Sequence, residues 1–187
     1  MARLEPVTPV HGAVLVVPDV HGDERGVFVE TYRRSWFPEG REMVQGNRSD
    51  KQAGTVVGLH FHLHQADYWY VPAGRIRVVL HDLRSGSPTE RGTATIDLDA
   101  VEHRGVWIPP GVAHGFVART DATLTYLVDQ YYNPADELGV AWDDPEIGAD
   151  WGLGPAGPSV LSARDAANPS RAVLADQGRL PAYPVRT

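Results

Sequence analysis

Apolar positions along this chain come in short runs, rich in β-branched and aromatic residues and broken by Gly, Pro, Asn and Asp. Such runs occupy 13–17, 27–31, 55–61, 68–71, 75–83, 93–98, 105–108, 115–118 and 122–132. Their lengths and the turn residues between them predict antiparallel strands of a sandwich or barrel. Within 75–83 the alternation puts Ile76, Val78 and Leu80 on one face and Arg75, Arg77 and His81 on the other, so one face packs and the other meets water or a partner sheet. No long segment before residue 155 carries apolar residues at the 3.6 period of a helix. Beyond it, Ser162-Ala-Arg-Asp165 reads as a capping box, and Ser170 to Gln177 as a second short helix ended by Gly178. The pattern predicts one all-β domain over 1–187, strand-rich over 1–135 and closed by a loop-and-helix cap over 136–187.

Composition narrows the function classes. With 187 residues, 42% hydrophobic and 22% charged, the chain has the make-up of an ordinary globular protein. Its longest apolar run, Ala13 to Pro18, is far short of the ~20 residues of a membrane helix. Neither a membrane span nor a secretion signal is expected, and the expected location is the cytoplasm. The absence of cysteine removes disulfides, thiolate metal sites and cysteine nucleophiles, so any metal must be bound by His, Asp or Glu. The net charge of −7, with scattered basic residues, argues against nucleic acid as a partner. Lys51 is the only lysine, so lysine-based catalysis has one candidate.

The eight histidines are unevenly placed, with His60, His62 and His64 in one stretch. Gly54 to Gly74 fits the first cupin pattern, a Gly, five residues, His-x-His, a carboxylate and a closing Gly, with Asp67 in place of Glu. Pro109-Pro-Gly-Val-Ala-His114 resembles the core of the second cupin pattern. On a strand His60 and His62 share a face and could converge with Asp67 and His114. Three imidazoles and a carboxylate would suit a divalent Fe, Ni, Zn, Cu or Mn ion with positions left open for substrate.

A finer resemblance spans nearly the whole chain. Asp23-Glu-Arg25-Gly-Val-Phe28-Val-Glu30, Gln45-Gly-Asn47-Arg-Ser49, Gly58-Leu-His60-Phe61, Asp82-Leu-Arg84, Ile108 to Phe116, Tyr132-Asn-Pro134, Trp142-Asp-Asp-Pro145 and Leu161 to Asp165 resemble the dTDP-4-dehydrorhamnose 3,5-epimerase family of cupin-fold nucleotide-sugar epimerases. The resemblance implies a jelly-roll β barrel and no cofactor. It also implies proton removal α to the keto group of a 4-keto-6-deoxyhexose on a nucleotide, with reprotonation from the opposite face. It assigns His60 as general base, Asp165 as the carboxylate fixing its tautomer, and Tyr126 as proton donor. Arg25, Phe28, Glu30, Gln45, Asn47, His114 and Tyr132 become substrate-binding residues. A homodimer exchanging N-terminal strands is implied too, and the apolar run 13–17, otherwise exposed, fits it.

The chain departs from the family twice. Val57 stands where the family usually has Arg before Gly-Leu-His, and Asp67 where it usually has Lys, which puts an anion where a cation is expected beside the enolate oxygen. A metal at His60, His62, Asp67 and His114 would neutralise that anion, but His60 could not then be the base. The alternative reading is therefore a metal-dependent cupin isomerase, lyase or oxygenase, and a third is a catalytically silent sugar-nucleotide binder. Read by type alone, Asp165 is also the acidic member of a capping box, Tyr126 a core residue, and His60 and His62 a solvated strand face. His64 is read as structural.

Overall fold

The computed structural model describes residues 2–38 and 41–184. Fourteen strands and two short helices follow in chain order: β1 (Arg3–Pro6), β2 (Val14–Val17), β3 (Val20–Asp23), β4 (Gly26–Val29), β5 (Gln45–Lys51), β6 (Thr55–Phe61), β7 (Asp67–Ala73), β8 (Arg75–Asp82), β9 (Thr93–Asp99), β10 (Gly105–Ile108), β11 (Val112–Ala118), β12 (Ala122–Val128), β13 (Leu138–Val140), β14 (Val160–Leu161), α1 (Ala163–Ala166) and α2 (Arg171–Asp176). Two large sheets face each other, one in the order β1-β2-β10-β7-β12-β5 and one in the order β13-β6-β11-β8-β9, with β14 also on β6. The fold is the all-β cupin class. The expected barrel is not closed, because the strands hydrogen-bond into separate sheets and the β3–β4 hairpin forms a third.

Three apolar clusters layer this sandwich. Between the sheets lie Trp69 and Val71 of β7, Ile76, Val78 and Leu80 of β8, Ile108 and Phe116. The outer face of the second sheet is covered by the C-terminal segment, where Val79, Leu59 and Phe61 meet Ile147, Trp151 and Leu174. Of the face expected to meet water or a partner sheet, Arg75 is exposed and Arg77 half-buried, while His81 is fully enclosed beneath this cover. On the outer side of the first sheet, Val16, Tyr68 and Trp107 pack under Phe37, whose ring stacks on Trp107 at 4.6 Å.

The run 13–17 is not an exposed edge. Val14–Val17 pairs on both sides, with β1 and with β10, and Ala13 and Val16 are buried. The edge is β1. The strand expected over 122–132 ends at Val128, because the Asp129 carboxylate accepts from Ala66 N–H at 2.7 Å and from Arg41 Nη1 at 2.6 Å, drawing the backbone out of the ladder. Among the described residues no helix is long and apolar enough to cross a membrane.

Candidate active site

The cavity lies between the sheets. It measures about 340 Å³ and is lined from the second sheet by Val57, His60, His62, His114 and Phe116 and from the first by Gln45, Asn47, Asp67, Trp69, Leu124 and Tyr126. A bulge in β6 gives it these walls. Phe116 pairs with Val57 and His114 with His60, so two steps on β11 oppose three on β6. Val57 and His60, of opposite parity in the sequence, consequently share the inner face, while Val56, Leu59 and Phe61 pack outward. Gly115 permits the close approach, since a Cβ there would stand 2.6 Å from the Val57 carbonyl oxygen.

His60 is held from outside the sheet. Its Nε2–H donates to Asp165 Oδ1 at 2.8 Å, and the other carboxylate oxygen accepts from Gly58 N–H at 3.1 Å. Gly58 sits between the part of β6 paired with β14, residues 55–56, and the part paired with β13, residues 59–61. A side chain at Gly58 would collide with Asp165, its Cβ lying 2.8 Å from the Asp165 Cβ. The capping box is half made: Ser162 Oγ accepts from Asp165 N–H at 3.0 Å, while the carboxylate itself is directed to β6. Burial opposes ionisation of Asp165, but His60 and the Gly58 N–H outweigh it and hold the carboxyl well below the usual carboxylate range. A permanent carboxylate on Nε2–H fixes that tautomer and leaves Nδ1 with the lone pair.

Tyr126 reaches the cavity from β12, opposite Asn47 on β5 and Trp69 on β7. Its pKa is raised, first by burial and then by the charges of Asp67 and Glu137, so the phenol is protonated at neutral pH. Burial works against ionisation of Glu137, but Arg164, which donates to it at 2.7 Å, keeps its pKa below the ordinary value.

His62 and His114 carry a different arrangement. His62 Nδ1–H donates to the Asp136 carbonyl at 2.8 Å and His114 Nδ1–H to the Val112 carbonyl at 2.9 Å. Their Nε2 atoms lie 4.0 and 3.8 Å from the two carboxylate oxygens of Asp67. Burial pushes the His114 pKa down to about 4 despite the neighbouring carboxylate. The Asp67 oxygens also accept from Gln65 Nε2 at 2.8 Å and Trp69 Nε1 at 3.0 Å. Among the described residues, the donor atoms of His62, Asp67 and His114 converge within 4.8 Å of one another, and His60 is not in that group. The cluster holds three of the four expected residues, and His60 stands apart from it, with its Nε2 on Asp165.

Of the expected binding residues, Gln45, Asn47, His114 and Tyr132 line this cavity. Arg25, Phe28 and Glu30 do not. Arg25 pairs with Asp23 on the exposed β3–β4 hairpin, Phe28 is 72% exposed, and Glu30 pairs with Arg33. His64 is exposed and does not line the cavity. Sequence reasoning missed Lys51, Ser49, Trp69 and Glu137 among the lining residues, and Asp136, whose carboxylate gathers the N–H groups of Leu63, His64 and Gln65. The alternation of Gln45, Asn47, Ser49 and Lys51 was the available signal for β5.

An imidazole held by a carboxylate and a tyrosine share one cavity of a cupin sandwich, an arrangement suited to proton transfer. Solved sugar epimerases share its frame: NovW, a 4-keto-6-deoxy sugar epimerase from the novobiocin biosynthetic gene cluster of Streptomyces spheroides, is 37% identical, with a TM-score of 0.92 over 100% of this chain and 96% of that one. ChmJ, a 3'-monoepimerase from Streptomyces bikiniensis solved with dTDP-quinovose, is 31% identical, with a TM-score of 0.87 over 95% and 92%. The chain belongs to the dTDP-4-dehydrorhamnose 3,5-epimerase family, whose model matches residues 7–172. A dTDP-4-dehydrorhamnose 3-epimerase of Streptomyces niveus is 39% identical over 97% of this chain and 89% of its own length. The chain spans about half of a 3,5-epimerase from Neisseria gonorrhoeae, at 40% identity over 82% of this chain and 48% of that one.

Proposed function

We infer that this protein is an isomerase that epimerises a dTDP-linked 4-keto-6-deoxyhexose in deoxysugar or natural-product biosynthesis. Family membership favours this over a metal-dependent lyase or oxygenase. The observation that carries the mechanism is the His60–Asp165 pair on the same cavity as Tyr126. His60 Nδ1 takes the proton from the carbon α to the C4 keto group, and the C–H electron pair moves onto the keto oxygen as an enolate. Tyr126 returns a proton to that carbon from the other face. Solvent then removes the proton from His60 and restores the one on Tyr126, so the sugar gains and loses one hydrogen. Asp165 holds the imidazole tautomer and offsets its charge once protonated.

Gln45, Asn47 and Tyr132 serve the nucleotide and sugar from within the chain. Arg25, Phe28 and Glu30 serve the cavity of a second copy in a homodimer. Support comes from the hairpin that carries them, on which Val20, Val27 and Phe28 are exposed. The absence of cysteine agrees with a cytoplasmic location.

Incubation with a dTDP-4-keto-6-deoxyhexose in deuterated water tests the reading. Deuterium enters C3 or C5 with the native enzyme, His60→Ala stops the exchange, and Tyr126→Phe slows net epimerisation more than exchange on the face of the base. No exchange on any such sugar by the native enzyme would overturn it.

A further inference from the structure

We propose that His62, Asp67 and His114 bind one divalent transition-metal ion inside the epimerase cavity, separate from the His60 base and serving the same reaction. This deepens the epimerase reading and rests on it. The argument begins with tautomers. A backbone carbonyl can only accept, so both histidines must place a proton on Nδ1, at 2.8 Å from the Asp136 oxygen and 2.9 Å from that of Val112. In the neutral form each ring turns its Nε2 lone pair toward a buried carboxylate. Lone pairs and an anion facing one another need a positive charge between them.

Distance distinguishes a metal from a proton. At 4.0 and 3.8 Å the Nε2 to Oδ separations exceed the 2.7–3.2 Å of an N–H···O hydrogen bond, so protons on the imidazoles leave the gap unfilled. Two ligands about 2.1 Å from a common ion stand roughly 3 to 4 Å apart, depending on the angle between them. The donors stand on or beside β6, β7 and β11, and their second-shell contacts are in place. Both Nδ1–H groups are tied to carbonyls, and Gln65 and Trp69 steady the carboxylate with N–H donors on its two oxygens. Two imidazoles and one carboxylate suit Zn²⁺, Fe²⁺, Mn²⁺ or Co²⁺ and leave coordination positions open. Among the described residues the only ion-pair partners of Asp67 are these two histidines.

His60 is not required as a ligand, so the base and the ion coexist. An ion held by His62, Asp67 and His114 would supply positive charge to the keto oxygen as His60 removes the α proton, where the family's lysine would otherwise stand.

Protein purified without a nickel column is stripped with EDTA and titrated separately with Zn²⁺, Mn²⁺, Co²⁺ and Fe²⁺, with bound metal read by elemental analysis and stability by thermal melting. The native chain takes up about one ion and melts higher with it. His62→Gln and Asp67→Asn, checked for folding by circular dichroism, lose both effects, whereas His60→Asn keeps both. Uptake of none of the four ions by the native chain, or equal loss in His60→Asn and His62→Gln, overturns the proposal. Deuterium exchange measured on the same samples separates the two readings. Full exchange by a chain that takes up no ion overturns the metal and leaves the epimerase, while a bound ion without exchange on any sugar leaves the metal and overturns the epimerase.

Discussion

His60 and Asp165 stand 105 residues apart in the chain and 2.8 Å apart at Nε2 and Oδ1. Replacing the carboxylate by an amide of the same shape removes the charge that stabilises the imidazolium. Asp165→Asn should lower kcat/KM by about 100-fold or more. The limb of the pH profile that reports the base should move to lower pH, because the protonated ring has lost its counter-charge. A normal profile with normal activity would leave the pair a purely structural contact.

Gly58→Ala should reach the same pair from the other side. The new methyl would fall 2.8 Å from the Asp165 Cβ, so α1 must shift away from β6. A stability loss of about 1–3 kcal/mol and a kcat effect close to that of Asp165→Asn are expected, read by denaturant melts and turnover.

Acid should destabilise the fold in a window set by His81. Burial and the positive charge of Arg171 push its pKa down to about 4 from 6.5, against smaller opposing effects of Asp82 and Asp144. The folded state then refuses a proton that the unfolded chain accepts between these values. Stability is full above about pH 6.5 and declines as pH falls toward 4, by on the order of 3 kcal/mol for this group. His114 acts in the same window, whereas the depressed carboxyls of Asp82 and Asp165 act only below 3.8. Urea unfolding followed against pH should show a flatter decline in His81→Gln, the difference being the share of this one ring.

Asp67→Lys exchanges the anion for the family's cation. It should abolish uptake of a divalent ion and make hydrogen exchange independent of added metal. Exchange that still rises with Zn²⁺ or Mn²⁺ in this variant would place the effect elsewhere.

The β3–β4 hairpin should act in trans. Light scattering should give twice the 20.4 kDa chain mass. Arg25→Ala and Phe28→Ser should raise KM about tenfold with no change in bound metal, although neither residue lines the cavity of its own chain. Equal activity of a monomeric form would remove the hairpin from the site.

What the sequence revealed and what it hid differ in kind. Strands such as 55–61, 75–83 and 105–108 stood out because their β-branched and aromatic runs pack into apolar clusters on one or both faces. β5 did not, because Gln45, Asn47, Ser49 and Lys51 face a polar cavity while Arg48 and Asp50 face water, so polar residues occupy both sides. The histidine and carboxylate identities were legible through the family resemblance. The nitrogen that each ring leaves free was not, since it depends on which one meets a carbonyl and which meets Asp165, a matter of tautomer rather than residue type. Asp136 carries no motif, yet its carboxylate and carbonyl shape the turn after β6 and orient His62. The burial of His81 was hidden for a related reason: its neighbours include Arg171 and, through Thr93, the Ile147 carbonyl, both more than sixty positions downstream.

The short break along the edge of β6, where neither β13 nor β14 pairs with Gly58, has a mechanical consequence. Its N–H is the point at which the C-terminal cap is pinned, so Asp165 is referenced to the very strand that carries the imidazole. The imidazole and the carboxylate that orients it are thereby tied to one sheet and its cap, with no part of the contact borne by the other sheet. Tyr126 belongs to the opposite sheet, so the two candidate proton-transfer groups are positioned by different sheets and only the base carries its orienting partner with it.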